Sequence, residues 1–267
     1  MFDSDSEAPA GPLTALIPRH VLCVVGSELD FDDLAWTLDD VGAGDFSLDR
    51  EHFESEPDPR MSHAFRASVM QPASFTDDDW AAVAEHDSVA YVVAPPVLGP
   101  YALDVSWRAL KVAATLLAMD GTALKNESSG LAHGRDTWLA LAREAAAAED
   151  EPELAATLHR AWVKRPIGDD GVLFTCGMHL LGQRDVELAA GSGVRDQDQL
   201  REYLSTMDAL AYYLLMEQPD EGIQDGEGFR VSADAPRWVM SHQPCERYDP
   251  MDDISYNPYG YWRLTPG

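Results

Sequence analysis

The chain has 267 residues, of which 47 are acidic and 19 basic, so its formal net charge is −28 at neutral pH. This charge argues against nucleic acid and anionic membrane as direct partners, because both attract basic surfaces. It leaves a basic protein partner open. Asp-rich, Lys-poor usage also fits a salt-adapted or GC-rich host, so the charge by itself does not identify a binding surface.

The remaining composition indicates a globular protein with a sizeable core. The three cysteines are widely spaced, so no disulfide framework is predicted. The sequence also has no Cys or His pair at the spacing of zinc ligands, so no metal site is predicted. No uncharged apolar stretch approaches a membrane span, and residues 1–12 do not resemble a signal peptide. We expect a cytoplasmic protein without a cofactor, with a disordered tail at 1–17. A single domain at 18–267 is predicted, or two halves at about 18–150 and 151–267.

The N-terminal quarter of the chain contains four predicted elements. The apolar run at 20–25 predicts a buried strand. Asp30 is a typical helix N-cap and predicts a helix that ends at Gly42. Residues 42–62 are polar and contain proline, which indicates a loop, and residues 64–70 predict a second strand.

The middle of the chain has the clearest periodicity. Thr76 and Asp79 are spaced as in a capping box and predict a helix start. Residues 89–94 predict a strand, which ends before two prolines. Residues 101–120 predict a helix whose inward stripe consists of Leu103, Trp107, Leu110, Ala114 and Leu117.

The second half combines a hairpin with long helices. Asp170-Gly171 is a turn signal between two apolar runs and predicts the hairpin. The other predicted elements are strands at 122–125, 162–167, 172–175 and 185–190, helices at 133–148, 152–162 and 196–216, and two or three short strands within 222–267. The sequence therefore predicts an α+β fold, a mixed sheet packed against several helices. Its first half alternates β-α-β, and its second half has a hairpin, a helix and strands.

The densest polar cluster lies at 125–136, between a predicted strand and a predicted helix. Free N–H groups, two hydroxyls and an arginine suit an anionic ligand, and the candidate ligand residues are Ser128, Ser129, Gly130, His133 and Arg135. Glu127, Ser128 and His133 also supply the residue types of a base, a nucleophile and an orienting group. The alternative is a capped loop in which these side chains satisfy backbone groups.

Two further segments carry candidate functional residues. Cys176 and His179 place a thiol three residues from an imidazole, which favours nucleophilic catalysis if the two side chains meet; a simple turn is the alternative. In the aromatic tail, Tyr256, Tyr259 and Trp262 are candidate partner-binding anchors, because Tyr and Trp bury a large area at little entropy cost. The alternative is that these aromatic side chains pack at the edge of the hydrophobic core.

Several of these segments together resemble an uncharacterised bacterial family, the domain of unknown function numbered 4261 or a close relative. The resemblance spans about residues 20–264 and is carried by the segments 127–134 with Trp138, 176–182 with Asp185-Val186, 225–229 and 257–264. It implies a bacterial α+β protein with no established enzymology. Families of this kind often include toxin-immunity or secretion-associated proteins.

Three functions follow from these observations. The first is a non-enzymatic protein-binding protein, such as an immunity-type protein that neutralises a basic toxin; it predicts an acidic patch on one face. The second is a hydrolase-like enzyme or small anionic-ligand binder that uses the 125–135 loop, and it requires Ser128 and His133 to share one pocket. The third is an assembly component, which predicts a large apolar surface patch. The incomplete catalytic signatures favour the first function.

Overall fold

A computed structural model of the chain describes residues 16–41, 43–190, 194–216 and 223–267. This part of the chain contains two β-sheets, of five and six strands, and seven α-helices, so the predicted α+β class is confirmed. The predicted tail at 1–17 lies outside the described residues except for its last two positions. None of the described helices is long and apolar enough to cross a membrane.

The first sheet is antiparallel and is built around its central strand. Its strands, in the order β2-β3-β1-β4-β5, are β1 (Val21–Gly26), β2 (Ser47–Leu48), β3 (Ser88–Val93), β4 (Gly121–Asn126) and β5 (Leu131–His133). Leu22 and Val24 point into the main core, and Cys23 and Val25 point into a smaller core on the other face. Burial on both faces explains why β1 is apolar throughout instead of alternating.

The helices of the first half are α1 (Phe31–Asp40), α2 (Met61–Ser68), α3 (Asp77–Glu85) and α4 (Ala102–Ala118). Asp30 caps α1, and the capping box of Thr76 and Asp79 opens α3, as predicted. The strand predicted at 64–70 is wrong, because these residues belong largely to α2. Met61 and Phe65 lie four residues apart and bury the same helical face, a spacing that a strand does not share.

The inward face of α4 includes Leu110 and Leu117 of the predicted stripe, but not the other three residues. Leu103, Trp107 and Ala114 are only half-buried, whereas the fully buried positions are mostly small residues, among them Ala102, Val105, Ala109 and Ala113, with Leu110, Leu116 and Leu117. Small side chains let α4 approach its neighbouring helices closely. Leu103 and Trp107 of the predicted stripe therefore lie partly at the edge of the helix–helix contact.

The second sheet is mixed. Its strands, in the order β6-β7-β8-β11-β10-β9, are β6 (Lys164–Asp169), β7 (Val172–Cys176), β8 (Asp185–Ala189), β9 (Gly228–Phe229), β10 (Trp238–Gln243) and β11 (Tyr261–Pro266). The hairpin β6–β7 is confirmed, and Asp170 and Gly171 both have positive φ, as a two-residue hairpin turn requires. Strands β8 and β11 pair in parallel.

The two sheets contribute to one hydrophobic core. The remaining helices α5 (Arg135–Ala147), α6 (Glu151–Trp162) and α7 (Gln197–Met216) pack there with α4. Trp138 and Trp162 are both buried in it, with ring centroids 5.1 Å apart. Leu124 of the first sheet and Leu264 of the second belong to the same cluster.

Candidate functional site

Ser128 is part of the protein interior. Its hydroxyl donates to the Arg19 carbonyl at 2.7 Å and accepts the Val21 N–H at 3.1 Å, while its own N–H binds the Asn126 side chain. The residue is completely buried. Ser128 therefore anchors the loop after β4 to the start of β1, and its hydroxyl already has two backbone partners.

The side chains of His133 and Arg135 contact other parts of the core than Ser128 does. His133 Nε2 lies 3.2 Å from the Ala161 carbonyl, and burial lowers the pKa of His133 to about 4. Its ring lines a cavity of about 200 Å³ together with Arg160 and Arg165. The Arg135 guanidinium donates to the Leu117 carbonyl at 2.8 Å and so closes the C-terminus of α4.

The remaining loop residues make equally local contacts. Glu127 forms an ion pair with Lys125 at 2.7 Å. Gly130 has a φ of +61°, which favours glycine. The Ser129 hydroxyl is buried and has no hydrogen-bond partner among the described residues.

The candidate residues of the loop therefore do not converge. Ser128 and His133 lie in separate environments, whereas the predicted enzyme or ligand site requires them in one pocket. In the small cavity beside His133, both arginines are already paired with carboxylates, Arg160 with Glu144 and Arg165 with Asp208. The described contacts are those of a capped structural loop.

Cys176 and His179 do not form a nucleophile–base pair. Both side chains are buried, and Gly177 between them has a φ of +126°. Burial raises the pKa of the Cys176 thiol, and no hydrogen bond joins the two side chains among the contacts of the described residues. A thiol held in this protonated state is a poor nucleophile.

A buried hydrogen-bond network around Asp185 was not predicted from the sequence. One carboxylate oxygen of Asp185 accepts from the Thr175 hydroxyl at 2.7 Å and from the Met178 N–H at 3.1 Å. The other accepts from the Asn257 amide at 2.7 Å. The network fixes the segment before β11 against the start of β8. Its only sequence signal is that Asp185 and Asn257 both lie in segments that carry the family resemblance.

The aromatic tail is mostly internal. Trp262 is 4% exposed and lies beneath the Arg184 guanidinium, 5.1 Å from its ring centroid, so it is not accessible as a partner anchor. Tyr256 and Tyr259 are half-buried. Tyr256 packs on the small apolar cluster of Phe174 and Tyr261.

A cavity of about 650 Å³ lies on the outer face of the second sheet. Glu187, 2% exposed, accepts hydrogen bonds there from Arg247 at 2.6 Å and from Arg263. Arg247 also pairs with Asp169 at 2.9 Å and lies 4.2 Å from the Phe174 ring centroid. These contacts hold the segment after β10 on the sheet, so both guanidiniums serve the fold.

Helix α1 differs from the candidate sites described above because it has a large aromatic side chain exposed to solvent. Trp36 is 77% exposed and lies opposite the buried residues Leu34 and Leu38. Four carboxylates at positions i ± 3 and i ± 4 from Trp36 surround it on the helix surface: Asp32, Asp33, Asp39 and Asp40. These five residues are called the α1 face below.

The carboxylates of the α1 face are largely unneutralised. Among the described ion pairs, only Asp32 has a cation nearby, Arg50 at 3.9 Å. Asp39 and Asp40 occupy the last turn of α1, which contains no basic residue. Negative charge at a helix C-terminus opposes the helix dipole, so these two side chains do not help α1 to fold.

Acidic residues are not confined to one side of the molecule. Exposed carboxylates also lie on α3, which packs on the first sheet, on α7, which packs on the second, and on α6. The net charge therefore does not by itself mark a docking face. The α1 face is distinguished by its exposed indole.

Within the described residues, no group of three His, Cys, Asp or Glu side chains is arranged to hold a metal ion. Comparisons of the chain with protein-family models, curated proteins and solved structures found no match. The family resemblance of its motifs thus stays a prediction.

Proposed function

We propose that the chain is a non-enzymatic protein-binding protein that captures a basic protein partner through the α1 face. The observation that carries this proposal is the 77% exposure of Trp36 at the centre of four carboxylates. A large aromatic side chain in this position leaves apolar area in water, which a partner would cover.

The chemistry of the α1 face suits arginine or lysine side chains. A guanidinium above an indole gains about 0.5–2 kcal/mol from the ring, and more as water is excluded. The surrounding carboxylates add charge-assisted hydrogen bonds and steer a basic protein during approach. Interfaces often place Trp at their energetic centre.

The position of Asp39 and Asp40 gives independent support. Both oppose the dipole of α1, and neither forms an ion pair with another described residue. Residues that weaken their own helix are consistent with a role outside folding. An immunity-type protein that neutralises a basic toxin is one kind of binder with these requirements.

An enzymatic function has less support. The hydroxyl of Ser128 and the imidazole of His133 are separated, and burial raises the pKa of the Cys176 thiol. A small anionic ligand would have to displace the carboxylates that already pair with Arg160 and Arg165.

Affinity capture with charge-matched baits tests the proposal. The baits are the wild type, Trp36→Ala, the pair Asp39→Asn with Asp40→Asn, and the control pair Asp77→Asn with Asp78→Asn on α3, which has the same net charge. Lysate of the host is applied at low and high salt, and retained proteins are identified by mass. A basic protein retained by the wild type and the control, but lost with both α1 variants and at high salt, supports the proposal. Equal retention by all baits, or no basic protein, contradicts it.

A further inference from the structure

A groove runs along the surface of α4 and α5; it is apolar where the two helices meet and mixed in polarity where it reaches the start of α6. It consists of two cavities of about 550 and 440 Å³, and Trp107 and Ala146 line both. Its walls are half-buried apolar side chains that pack on the main core: Val41, Leu103, Trp107, Ala114, Leu139 and Leu154. Leu98 and Tyr101, which flank Pro100 at one end, are more than half exposed.

The two ends of this α4–α5 groove carry opposite charges. Lys111 and Arg143 lie on α4 and α5 at one end. The Lys111 ammonium is 5.4 Å from the Trp107 ring centroid, and neither cation has a carboxylate partner among the ion pairs of the described residues. Such cations are notable in a chain with 47 acidic residues.

The acidic end contains Asp104 and residues 149–151. Asp104 is paired with Arg108, and Asp150 caps α6. The carboxylates of Glu149 and Glu151 have no cation partner within the described part of the chain. One end thus offers two unpaired cations, and the other offers two unpaired anions.

We propose that the α4–α5 groove binds the same groove of a second copy of this chain across a two-fold axis near Trp107. A two-fold axis places the basic end of one groove against the acidic end of the other, so each dimer forms both sets of ion pairs. The apolar walls lie between them, and the charges form the rim, as in many protein interfaces.

The proposal does not depend on the α1 face. The net charge of −28 on each copy opposes association over long distances, so the dimer is weak and favoured by physiological salt. At that ionic strength the Debye length is about 8 Å, which screens distant charges more than ion pairs in contact.

Sedimentation velocity at physiological salt over the micromolar range tests the dimer. The wild type is expected to change from monomer to dimer with concentration. Ala146→Arg places a bulky charge near the axis and is expected to leave only monomer. Ala147→Arg changes an exposed neighbour that does not line the groove, and should dimerise like the wild type. A wild type that stays monomeric, or a dimer that tolerates Ala146→Arg, overturns the proposal.

A charge exchange tests the ion pairs directly. One variant carries Lys111→Glu with Arg143→Glu, and the other carries Glu149→Lys with Glu151→Lys. Each alone places like charges together and is expected to be monomeric, whereas an equimolar mixture should form a heterodimer. A mixture that stays monomeric contradicts the two-fold arrangement. Binding of a basic peptide by the Ala146→Arg variant should be unchanged, which separates this proposal from the function of the α1 face.

Discussion

Residues 127–135 differ from the exposed face of α1 in how residue type relates to role. The first segment has residue types that suit catalysis but no shared site, whereas the α1 face has simpler residue types that are exposed. Residues 127–135 include a glutamate, a serine, a histidine and an arginine, yet each side chain is held by a separate contact. The exposed residues of helix α1 are aspartates and a tryptophan, and Trp36 is 77% exposed, so its ring is accessible to a partner. Residue types that can perform chemistry therefore indicate a site only where their side chains converge and stay accessible.

The largest expected effect is the pH dependence of stability, to which His133 and His20 contribute. His20 is buried, and its Nδ1 lies 2.9 Å from the Asn126 side chain at the end of β4. Burial, with a smaller contribution from the charge of His179, lowers the pKa of His20 to about 3, and burial lowers that of His133 to about 4. Below about pH 6.5 the unfolded chain binds protons that the folded chain does not, so stability falls as the pH falls towards these values.

We expect a loss of about 1–2 kcal/mol for each of these histidines between pH 7 and pH 5. Urea unfolding at the two pH values measures it. His133→Gln should remove its share of the pH dependence, whereas His63→Gln, at an exposed position, should not. A pH dependence that persists in full without His133 would contradict its burial as a neutral ring.

The adjacent serines of the loop give the next effect. Ser128→Ala leaves the Val21 N–H and the Arg19 carbonyl without their partner and should cost about 2 kcal/mol of unfolding free energy. Ser129→Ala removes a buried hydroxyl that has no hydrogen-bond partner in the described part of the chain, so it should be neutral or stabilising. Equal losses in the two variants would show that the loop is not held by Ser128.

A substitution of Trp36 tests the role of the α1 face. Trp36→Ala should leave the unfolding free energy nearly unchanged, because the side chain is mostly in water. It should weaken binding of a basic partner by about tenfold or more. Denaturation and binding of the partner found by capture measure both quantities. A large loss of stability would mean that Trp36 serves the fold instead.

The smallest effect concerns the helix dipole. Asp39→Asn with Asp40→Asn removes negative charge from the C-terminus of α1 and should raise the melting temperature by about 2 °C. Asp77→Asn with Asp78→Asn removes it from the N-terminus of α3, where it is favourable, and should lower the melting temperature. Shifts of the same sign would contradict the electrostatic account of α1.

The sequence predicted the fold well where local signals agree. The cap at Asp30, the capping box at Thr76 and the turn at Asp170 each depend on neighbouring residues, and all three elements form. The prediction of a strand at 64–70 was wrong because so short an apolar run does not by itself distinguish the residue period of a helix from that of a strand.

The site was harder to predict because accessibility depends on tertiary contacts. Ser128 is buried by segments more than 100 residues away, and Trp262 lies beneath a guanidinium from another segment. The position of Trp36 between four aspartates was readable as a helical pattern. Its exposure follows only from what α1 packs against, since Leu34 and Leu38 set the buried side.

Binding of a basic peptide to charge-matched variants is the most direct test of the proposed binding site on the α1 face. A fluorescently labelled peptide rich in arginine and leucine is titrated with the wild type, with Asp39→Asn plus Asp40→Asn, and with Asp77→Asn plus Asp78→Asn. We expect the α1 variant to bind about tenfold more weakly than the wild type, while the α3 variant of equal net charge binds nearly as well. Equal affinities for the two variants would show that the peptide senses only the overall charge, and would contradict a binding site on the α1 face.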